Sequence, residues 1–284
     1  VAARLISYKL RKEVYGDYIP WDLKKVIDKN IKLGVYDPAI LDYYTEDELK
    51  ELNSYIKHDR DDTFTFAGME QFRGKYLAQD RATNTIYETP QILYMMIAAT
   101  LFHKYDEGRI KYVKDYYDAI SQFYISLPTP IMAGVRTGTR QFSSCVLIES
   151  GDSLDSINAT ATSIVKYISK KAGIGIGTGS VRAAGARVGD GSIVHTGLVP
   201  FLKYFQAAVK SCSQGGVRGG AATVYLPIWH YEYEDLIVLK NNKGTEENRV
   251  RHMDYSFQLN KLMYERLISG GNITLFDPKD VPGL

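Results

Sequence analysis

The sequence predicts a helical domain over residues 1–140, followed by an α/β domain over residues 141–284. Before residue 140, apolar residues recur at three- and four-residue spacing, which is the period of an amphipathic helix. After it, short apolar runs alternate with helix-like segments, and this alternation favours parallel strands covered by helices. A hydrophobic content of 45% is enough for an ordinary globular core.

Three local signals define helices in the first domain. Thr45 and Glu48 have the spacing of a capping box, which predicts a helix start. Thr89 followed by Pro90 is typical of an N-cap and first helical residue, so we predict a helix through Phe102. Residues 109–124 carry apolar side chains on one helical face.

About five strands are predicted in the second domain, with helices between them. The candidate strands are residues 144–148, 174–177, 222–226, 254–258 and 273–276. The candidate helices are residues 154–170, 198–211, 233–240 and 260–268. Asp152 or Ser153 is expected to cap the first of these helices. Nothing in these segments alone closes the strands into a barrel.

Composition excludes several classes of protein. The 35 basic and 33 acidic residues give a net charge of +2, so no strong field indicates nucleic acid or an anionic membrane as a partner. Two Cys in 284 residues argue against a disulfide scaffold and fit a reducing cytoplasm. No signal peptide is visible, and the apolar stretch 92–102 is too short to span a bilayer.

Cys145 is the most informative residue, although a lone Cys is more often a buried small residue than a reactive one. It stands in FSSCVLI, residues 142–148, and the neighbouring segments change the interpretation. These segments are SLPTPIM (126–132), GDSLDSI (151–157), SQGGVRGG (213–220) and NRVRHMDY (248–255). Together they resemble the large (alpha) subunit of aerobic class I ribonucleotide reductase.

This resemblance implies a fold and an activity. The fold would be a helical N-terminal domain and the first half of a ten-stranded α/β barrel. The enzyme would reduce ribonucleoside diphosphates to deoxyribonucleotides, with Cys145 as half of the dithiol that supplies the reducing equivalents. Thr129 and Ser144 would contact the substrate, although outside this pattern their hydroxyls would suit an ordinary turn and strand edge. Ala172 and Gly173 would lie beside it.

The resemblance also implies allosteric control. Asp152, Ser153, Leu154 and Arg182 would bind the deoxynucleotide effector, with Asp152 accepting from ribose hydroxyls and Arg182 donating to phosphate. The alternative for Asp152 is a plain N-cap. Because the family varies in this region, no residue from 189 to 192 is assigned a role.

The glycine-rich run 213–220 would be the family's specificity loop, in which Gln214 and Arg218 reach the substrate base. Cys212 is expected only to pack. The spacing of residues 173–177 (GIGIG) does not fit a dinucleotide-binding fingerprint, since the third glycine is misplaced. No metal site is predicted, and His58 to Asp61 is interpreted as a solvated charged turn.

The resemblance finally implies ligands and partners. The effector would be a deoxynucleoside triphosphate or ATP, with Mg²⁺, and no cofactor would be bound covalently. The radical metallocofactor would reside in a small beta subunit, thioredoxin or glutaredoxin would restore the dithiol, and the assembled large subunit would form a homodimer. The location would be the cytoplasm, or the host cytoplasm for a phage protein.

The family's radical Cys and second dithiol Cys come later in its sequence, so we expect this chain to be inactive alone. It would need the missing C-terminal half of the large subunit, whether it is a natural piece of a split subunit or a gene fragment. The alternative function is a non-catalytic nucleotide-binding module for regulation or assembly.

Overall fold

The computed structural model describes residues 1–214 and 218–282, without the side chains at positions 213, 214 and 218. The chain divides into two compact units, Val1–Ser143 and Ser144–Leu284. Each unit has a hydrophobic core of its own, and the core of the first is built entirely from residues between Leu10 and Val135. In the described residues, no helix is long and apolar enough to cross a membrane.

The first unit is helical, as predicted. Its α-helices are α1 (Ala2–Tyr15), α2 (Leu23–Lys32), α3 (Glu46–Tyr55), α4 (Phe66–Gln71), α5 (Pro90–Phe102), α6 (Arg109–Ser121) and α7 (Thr129–Gly134). The first ten residues of α5 are all buried, because this helix is apolar on every side. Helix α6 ends at Ser121, three residues before the predicted end, and Phe123 then adopts a positive φ of 65° that helical backbone excludes.

Of the two helix caps predicted in this unit, one forms its capping hydrogen bonds and the other does not. Thr45 and Glu48 form the capping box, and Glu48 also accepts two hydrogen bonds from the Arg109 guanidinium. Thr89 does occupy the N-cap position of α5, but its side chain makes no capping bond. Its hydroxyl instead pairs with the Tyr15 hydroxyl at 2.8 Å, which joins α5 to α1.

The prediction of a solvated charged turn at residues 58–61 was wrong. His58–Thr63 is a 3₁₀ helix in which Asp61 is completely buried. The segment packs inward because α5 and α6 provide partners for its polar groups. Gln91 donates to Asp61 at 2.9 Å, and Arg60 pairs with Asp118 at 2.6 Å.

A buried ion pair anchors helix α7. Arg136 and Glu88 are both fully buried, and Arg136 Nε donates to Glu88 Oε2 at 2.8 Å. Another guanidinium nitrogen of Arg136 donates to the carbonyl of Met132 in α7 at 2.8 Å. The Tyr36 hydroxyl and the Ala78 amide also donate to Glu88, so this carboxylate is surrounded by donors.

The described part of the second unit contains a parallel sheet of four strands. In chain order they are β1 (Cys145–Glu149), β2 (Gly173–Gly177), β3 (Ala222–Pro227) and β4 (Asp254–Gln258), and their order across the sheet is β4-β3-β2-β1. Helices α8 (Leu154–Ser169), α9 (Val199–Ser211) and α10 (Tyr233–Leu236) connect the strands, and α11 (Lys261–Ser269) follows β4. Helices α8 and α9 pack on the apolar face of the sheet. Four of the predicted strands are therefore present.

The prediction of a fifth strand at residues 273–276 was wrong. Only Phe276 forms a bridge, with His230, beyond the carboxyl end of β3. Its amide donates to the Trp229 carbonyl at 2.7 Å, and its carbonyl accepts from the Tyr231 amide at 2.8 Å. Because its main-chain groups bond there, this segment does not pair with β4. The predicted helix 233–240 is also shorter, since α10 ends at Leu236 and turns follow.

The other face of the sheet is open, and β2 presents only glycines to it. Gly173, Gly175 and Gly177 face this side, while Ile174 and Ile176 are buried in the core. Residues 173–177 (GIGIG) superficially resemble a nucleotide-binding loop in the sequence. Their glycines and isoleucines alternate because successive residues of a strand face opposite sides of the sheet.

Candidate functional site

Cys145 is the first residue of β1, and its thiol lies on the open face of the sheet. Its side chain is exposed, and its neighbour across the ladder is Gly173. A Cβ placed on Gly173 would be 3.8 Å from the Cys145 sulfur, so the glycine leaves space beside the thiol. Cys212, by contrast, is half-buried at the end of α9 and packs against the core. The two thiols therefore differ in their access to a reactant.

The predicted substrate contacts are distributed over both units. Ser144 is exposed directly before β1, and its carbonyl accepts from the Gly173 amide at 2.8 Å. Ala172 is completely buried. Thr129 belongs to the first unit, where it is half-buried at the start of α7. The second unit thus brings Ser144, Cys145 and Gly173 together at the amino end of β1 and β2.

A cavity of about 500 Å³ opens at the opposite, carboxyl ends of the strands. Glu149, Gly177, Pro227 and Gln258 mark those ends and line the cavity. The carboxyl ends of parallel strands are a common place for ligands in α/β folds. Glu149 was not predicted as a site residue from the sequence, although its position at the end of an alternating strand on the Cys145 face was the available signal.

Asp152 lies on the wall of this cavity and forms an ion pair with Arg182. The carboxylate accepts from Arg182 Nε at 2.7 Å and from the Arg182 main-chain amide at 2.8 Å. The hydrogen bond to Asp152 raises the pKa of Arg182 above its usual value. The sequence suggested two separate ligand contacts, whereas the structure joins them into one preformed pair of opposite charges.

The N-cap of α8 is Ser153, which follows Asp152. Its hydroxyl accepts a hydrogen bond from the Ser156 amide at 3.2 Å. Asp152 therefore does not serve as the plain cap of α8, because its carboxylate turns to Arg182 instead. Leu154, the third predicted effector contact, is 67% exposed in the first turn of α8. Its apolar side chain is accessible to a ligand.

Asp152 and three side chains from two other segments hold the main chain around Arg182. The bonds are His230 Nε2 to the Val181 carbonyl at 2.9 Å, the Arg182 amide to Asp152 at 2.8 Å, the Ala183 amide to Asp277 at 3.2 Å and the Ala184 amide to Glu232 at 3.2 Å. His230, Glu232 and Asp277 were not predicted from the sequence. A His and a Glu two residues apart after a strand were the one available signal.

Two loops of the second unit contain short antiparallel pairs. Arg187–Val188 pairs antiparallel with Ile193–Val194, and both Ile193 and Val194 are more than 60% exposed. The glycine-rich run begins with a short antiparallel pair, Ser213–Gln214 with Arg218–Gly219. The side chains of Gln214 and Arg218 lie outside the described residues, so their predicted contacts remain predictions.

Among the residues that the structure describes, no three or more His, Cys, Asp or Glu side chains form a group that could hold a metal ion.

Two family models match the chain. "Ribonucleotide reductase, all-alpha domain" matches residues 62–140, and "Ribonucleotide reductase, barrel domain" matches residues 143–284. The chain belongs to the ribonucleotide reductase large-subunit family. This confirms the family indicated by the sequence motifs, and it confirms a helical domain followed by the parallel strands of a barrel domain.

Individual relatives agree with the family models. The chain is 60% identical to ribonucleoside-diphosphate reductase 1 subunit alpha of Salmonella typhimurium and 61% identical to the alpha subunit of Haemophilus influenzae. It is 56% identical to the alpha subunit of Enterobacteria phage T4. Each alignment covers 100% of this chain but only 38% of the relative, so the chain spans about two fifths of the length of these ribonucleotide reductase subunits.

Proposed function

We propose that the chain is part of the large subunit of a ribonucleoside-diphosphate reductase and that Cys145 is one of its two redox thiols. The observation that carries this proposal is the identity of about 60% along the whole chain with subunits of that name. The exposed thiol on the open face of the sheet supports it, because a thiol that exchanges with a disulfide must be accessible.

In this proposal the substrate is reduced by two thiols. Loss of a ribose hydroxyl as water requires two electrons and two protons, and a dithiol supplies both as it becomes a disulfide. Cys145 provides one thiol, while the second thiol and the radical-bearing Cys belong to the remainder of the large subunit. Ser144 and Thr129 bind the substrate, and Gly173 and Ala172 form the surface beside it.

The same proposal includes an allosteric site. The Asp152–Arg182 pair, with Ser153 and Leu154, binds a deoxynucleoside triphosphate or ATP together with Mg²⁺, and Gln214 and Arg218 relay its identity to the substrate. The small subunit delivers the radical from its metallocofactor, thioredoxin or glutaredoxin reduces the disulfide, and the assembled subunit is a cytoplasmic dimer.

One observation favours a second function, that of a non-catalytic nucleotide-binding module. Asp152 and Arg182 are already paired in the structure, whereas Cys145 has only the half-buried Cys212 as another thiol in the whole sequence. Such a module would bind the effector without contributing a thiol to turnover.

Reconstitution separates the two functions. The chain is combined with a polypeptide covering the remaining C-terminal part of a relative's large subunit, the relative's small subunit and thioredoxin, and deoxynucleotide formation is measured. We expect multiple turnovers that Cys145→Ser abolishes, since serine cannot form the disulfide. Cys212→Ser is the matched control and should keep most of the activity. Turnover by Cys145→Ser, or effector binding without any turnover in the wild-type assembly, would contradict the catalytic role.

A further inference from the structure

The two hydrogen bonds of the His230 ring, in the second unit, fix its tautomer. It is completely buried, and its Nδ1 accepts from the Glu232 amide at 3.1 Å. Its other nitrogen, Nε2, must therefore carry the proton that it donates to the Val181 carbonyl at 2.9 Å. The neutral ring thus links the main chain after β3 to the main chain directly before Arg182.

Glu232 links the same segment to two further amides. Its carboxylate accepts from the Ala184 amide at 3.2 Å and from the Leu198 amide at 3.0 Å. Gly197 lies against it with a φ of +92°, and a Cβ at that position would overlap the carboxylate. Burial raises the pKa of Glu232, while these amide hydrogen bonds favour its charged form.

Asp277 completes the arrangement from the segment beyond Phe276. It is half-buried, and its Oδ2 accepts from the Ala183 amide at 3.2 Å. Each of the four consecutive residues 181–184 therefore has a main-chain group bonded to a side chain that is distant in sequence. Such bonding fixes the φ and ψ angles of the segment and hence the direction in which Arg182 leaves the main chain.

We propose that His230, Glu232 and Asp277 are positioning residues of the effector site. They hold the main chain on both sides of Arg182 and so keep its guanidinium against Asp152, ready for the phosphate of a deoxynucleoside triphosphate. The inference rests on the proposed function, since it takes Arg182 to be the residue that contacts the effector.

The test measures binding of dTTP with Mg²⁺ by isothermal titration calorimetry, using the chain assembled with the C-terminal part of a relative's large subunit. Asp277→Ala removes the acceptor of the Ala183 amide and should weaken dTTP binding about tenfold. Asp277→Asn keeps an oxygen that accepts from this amide and should restore binding to within about twofold. Glu234→Gln, an exposed substitution two residues from Glu232, is the matched control and should bind like the wild type.

A double-mutant cycle shows whether Asp277 acts through Arg182. In the Arg182→Ala background, Asp277→Ala should cause no further loss of dTTP affinity, because the guanidinium that it orients is absent. Binding of deoxythymidine, which has no phosphate, should be the same in all variants. A purely structural role of Asp277 would lower both affinities and give additive losses.

The outcomes distinguish this inference from the proposed function. Unchanged dTTP affinity in Asp277→Ala, or additive losses in the cycle, would overturn the positioning role alone. Absence of dTTP binding to the wild-type assembly would overturn the effector site and the positioning role with it. Circular dichroism of each variant confirms folding, and Glu232→Gln, which retains one carbonyl oxygen, provides a second variant if Asp277→Ala does not fold. It should bind dTTP more weakly than the wild type, and unchanged affinity would contradict the inference.

Discussion

The pKa of Asp61 is strongly raised by its buried environment. Burial raises its pKa to about 7, against the opposing effects of the Gln91 hydrogen bond and the Arg11 guanidinium, while Asp59 and Asp62 add to the rise. Arg11 lies 3.8 Å from the carboxylate, too far for a close hydrogen bond. Tyr15, Tyr94 and Tyr117 also face this carboxyl group, and it affects the pKa of all three. His58 beside it has a pKa lowered to about 4 by burial, so its ring is neutral at pH 7.

This pKa predicts a pH-dependent stability of the first unit. Between pH 4 and 7 the folded state keeps the proton on Asp61 while the unfolded state has lost it. The contribution of Asp61 to the free energy of unfolding should therefore fall as the pH rises through this window, by up to about 1.4 kcal/mol per pH unit, and the loss is complete above pH 7. His58, whose pKa is lowered in the folded state, contributes with the opposite sign below about pH 6.5, so the difference between the wild type and Asp61→Asn isolates the contribution of Asp61. Asp61→Asn mimics the protonated acid and should be more stable than the wild type at pH 8.

Urea unfolding of both proteins at pH 5.5 and pH 8 measures this difference. Glu107→Gln, a change in an exposed carboxylate that does not contribute to the pKa of Asp61, should leave the pH dependence of the wild type intact. Equal stability of Asp61→Asn and the wild type at pH 8 would show that ionisation of Asp61 in the folded state does not lower the free energy of unfolding.

Among the elements, α7 depends most clearly on a single interaction. This helix carries Thr129 and is only six residues long, so packing and tertiary bonds must stabilise it. Arg136 provides such a bond to the Met132 carbonyl, and Glu88 neutralises the buried guanidinium. A buried charge that loses its partner destabilises a fold strongly.

Glu88→Gln should accordingly destabilise the first unit by about 3–5 kcal/mol, since it leaves Arg136 without a countercharge in a fully buried position. The measurement is urea unfolding followed by hydrogen exchange, which reports the helices of the first unit separately from the strands of the second. Glu107→Gln, in an exposed turn, is the control. A loss below about 1 kcal/mol would mean that the pair contributes no more than a surface ion pair.

For the whole molecule, the main feature is the amount of apolar surface that the described residues leave exposed. Leu147 on the open face of the sheet is 78% exposed, and Leu267 and Ile268 of α11 are 70% and 87% exposed. Strands β1 and β4 form the two edges of the sheet. Exposed edges and apolar patches favour association with other chains.

We therefore expect the isolated chain to self-associate. Size-exclusion chromatography with light scattering should show oligomers or aggregates at micromolar concentration, and adding the C-terminal part of a relative's large subunit should reduce them. The control is Leu147→Ser with Ile268→Ser, which should shift the chain toward the monomer. A wild-type monomer with one sharp cooperative melting transition would argue against this expectation.

The features predicted from sequence were those that depend on neighbouring residues. The capping box of Thr45 and Glu48 and the four strands of the sheet follow from local spacing. The Asp152–Arg182 pair joins residues 30 positions apart, and the His230 bond to Val181 joins residues 49 positions apart. Periodicity contains no information about such pairs. The segment 273–276 was assigned wrongly for the same reason, since its partners Trp229 and Tyr231 are chosen by tertiary structure.

The glycines of β2 restrict how this sheet can diverge in evolution. A methyl group would overlap the Glu149 carboxylate at Gly177, and at Gly175 it would approach the Leu147 and Tyr225 side chains to 2.5 and 2.9 Å. At Gly173 its nearest neighbour would be 3.8 Å away, so only this position has room for alanine. A larger residue at 175 or 177 therefore requires the side chains of Leu147, Tyr225 or Glu149 to rotate away or to become shorter, whereas alanine at 173 requires no movement of a neighbour.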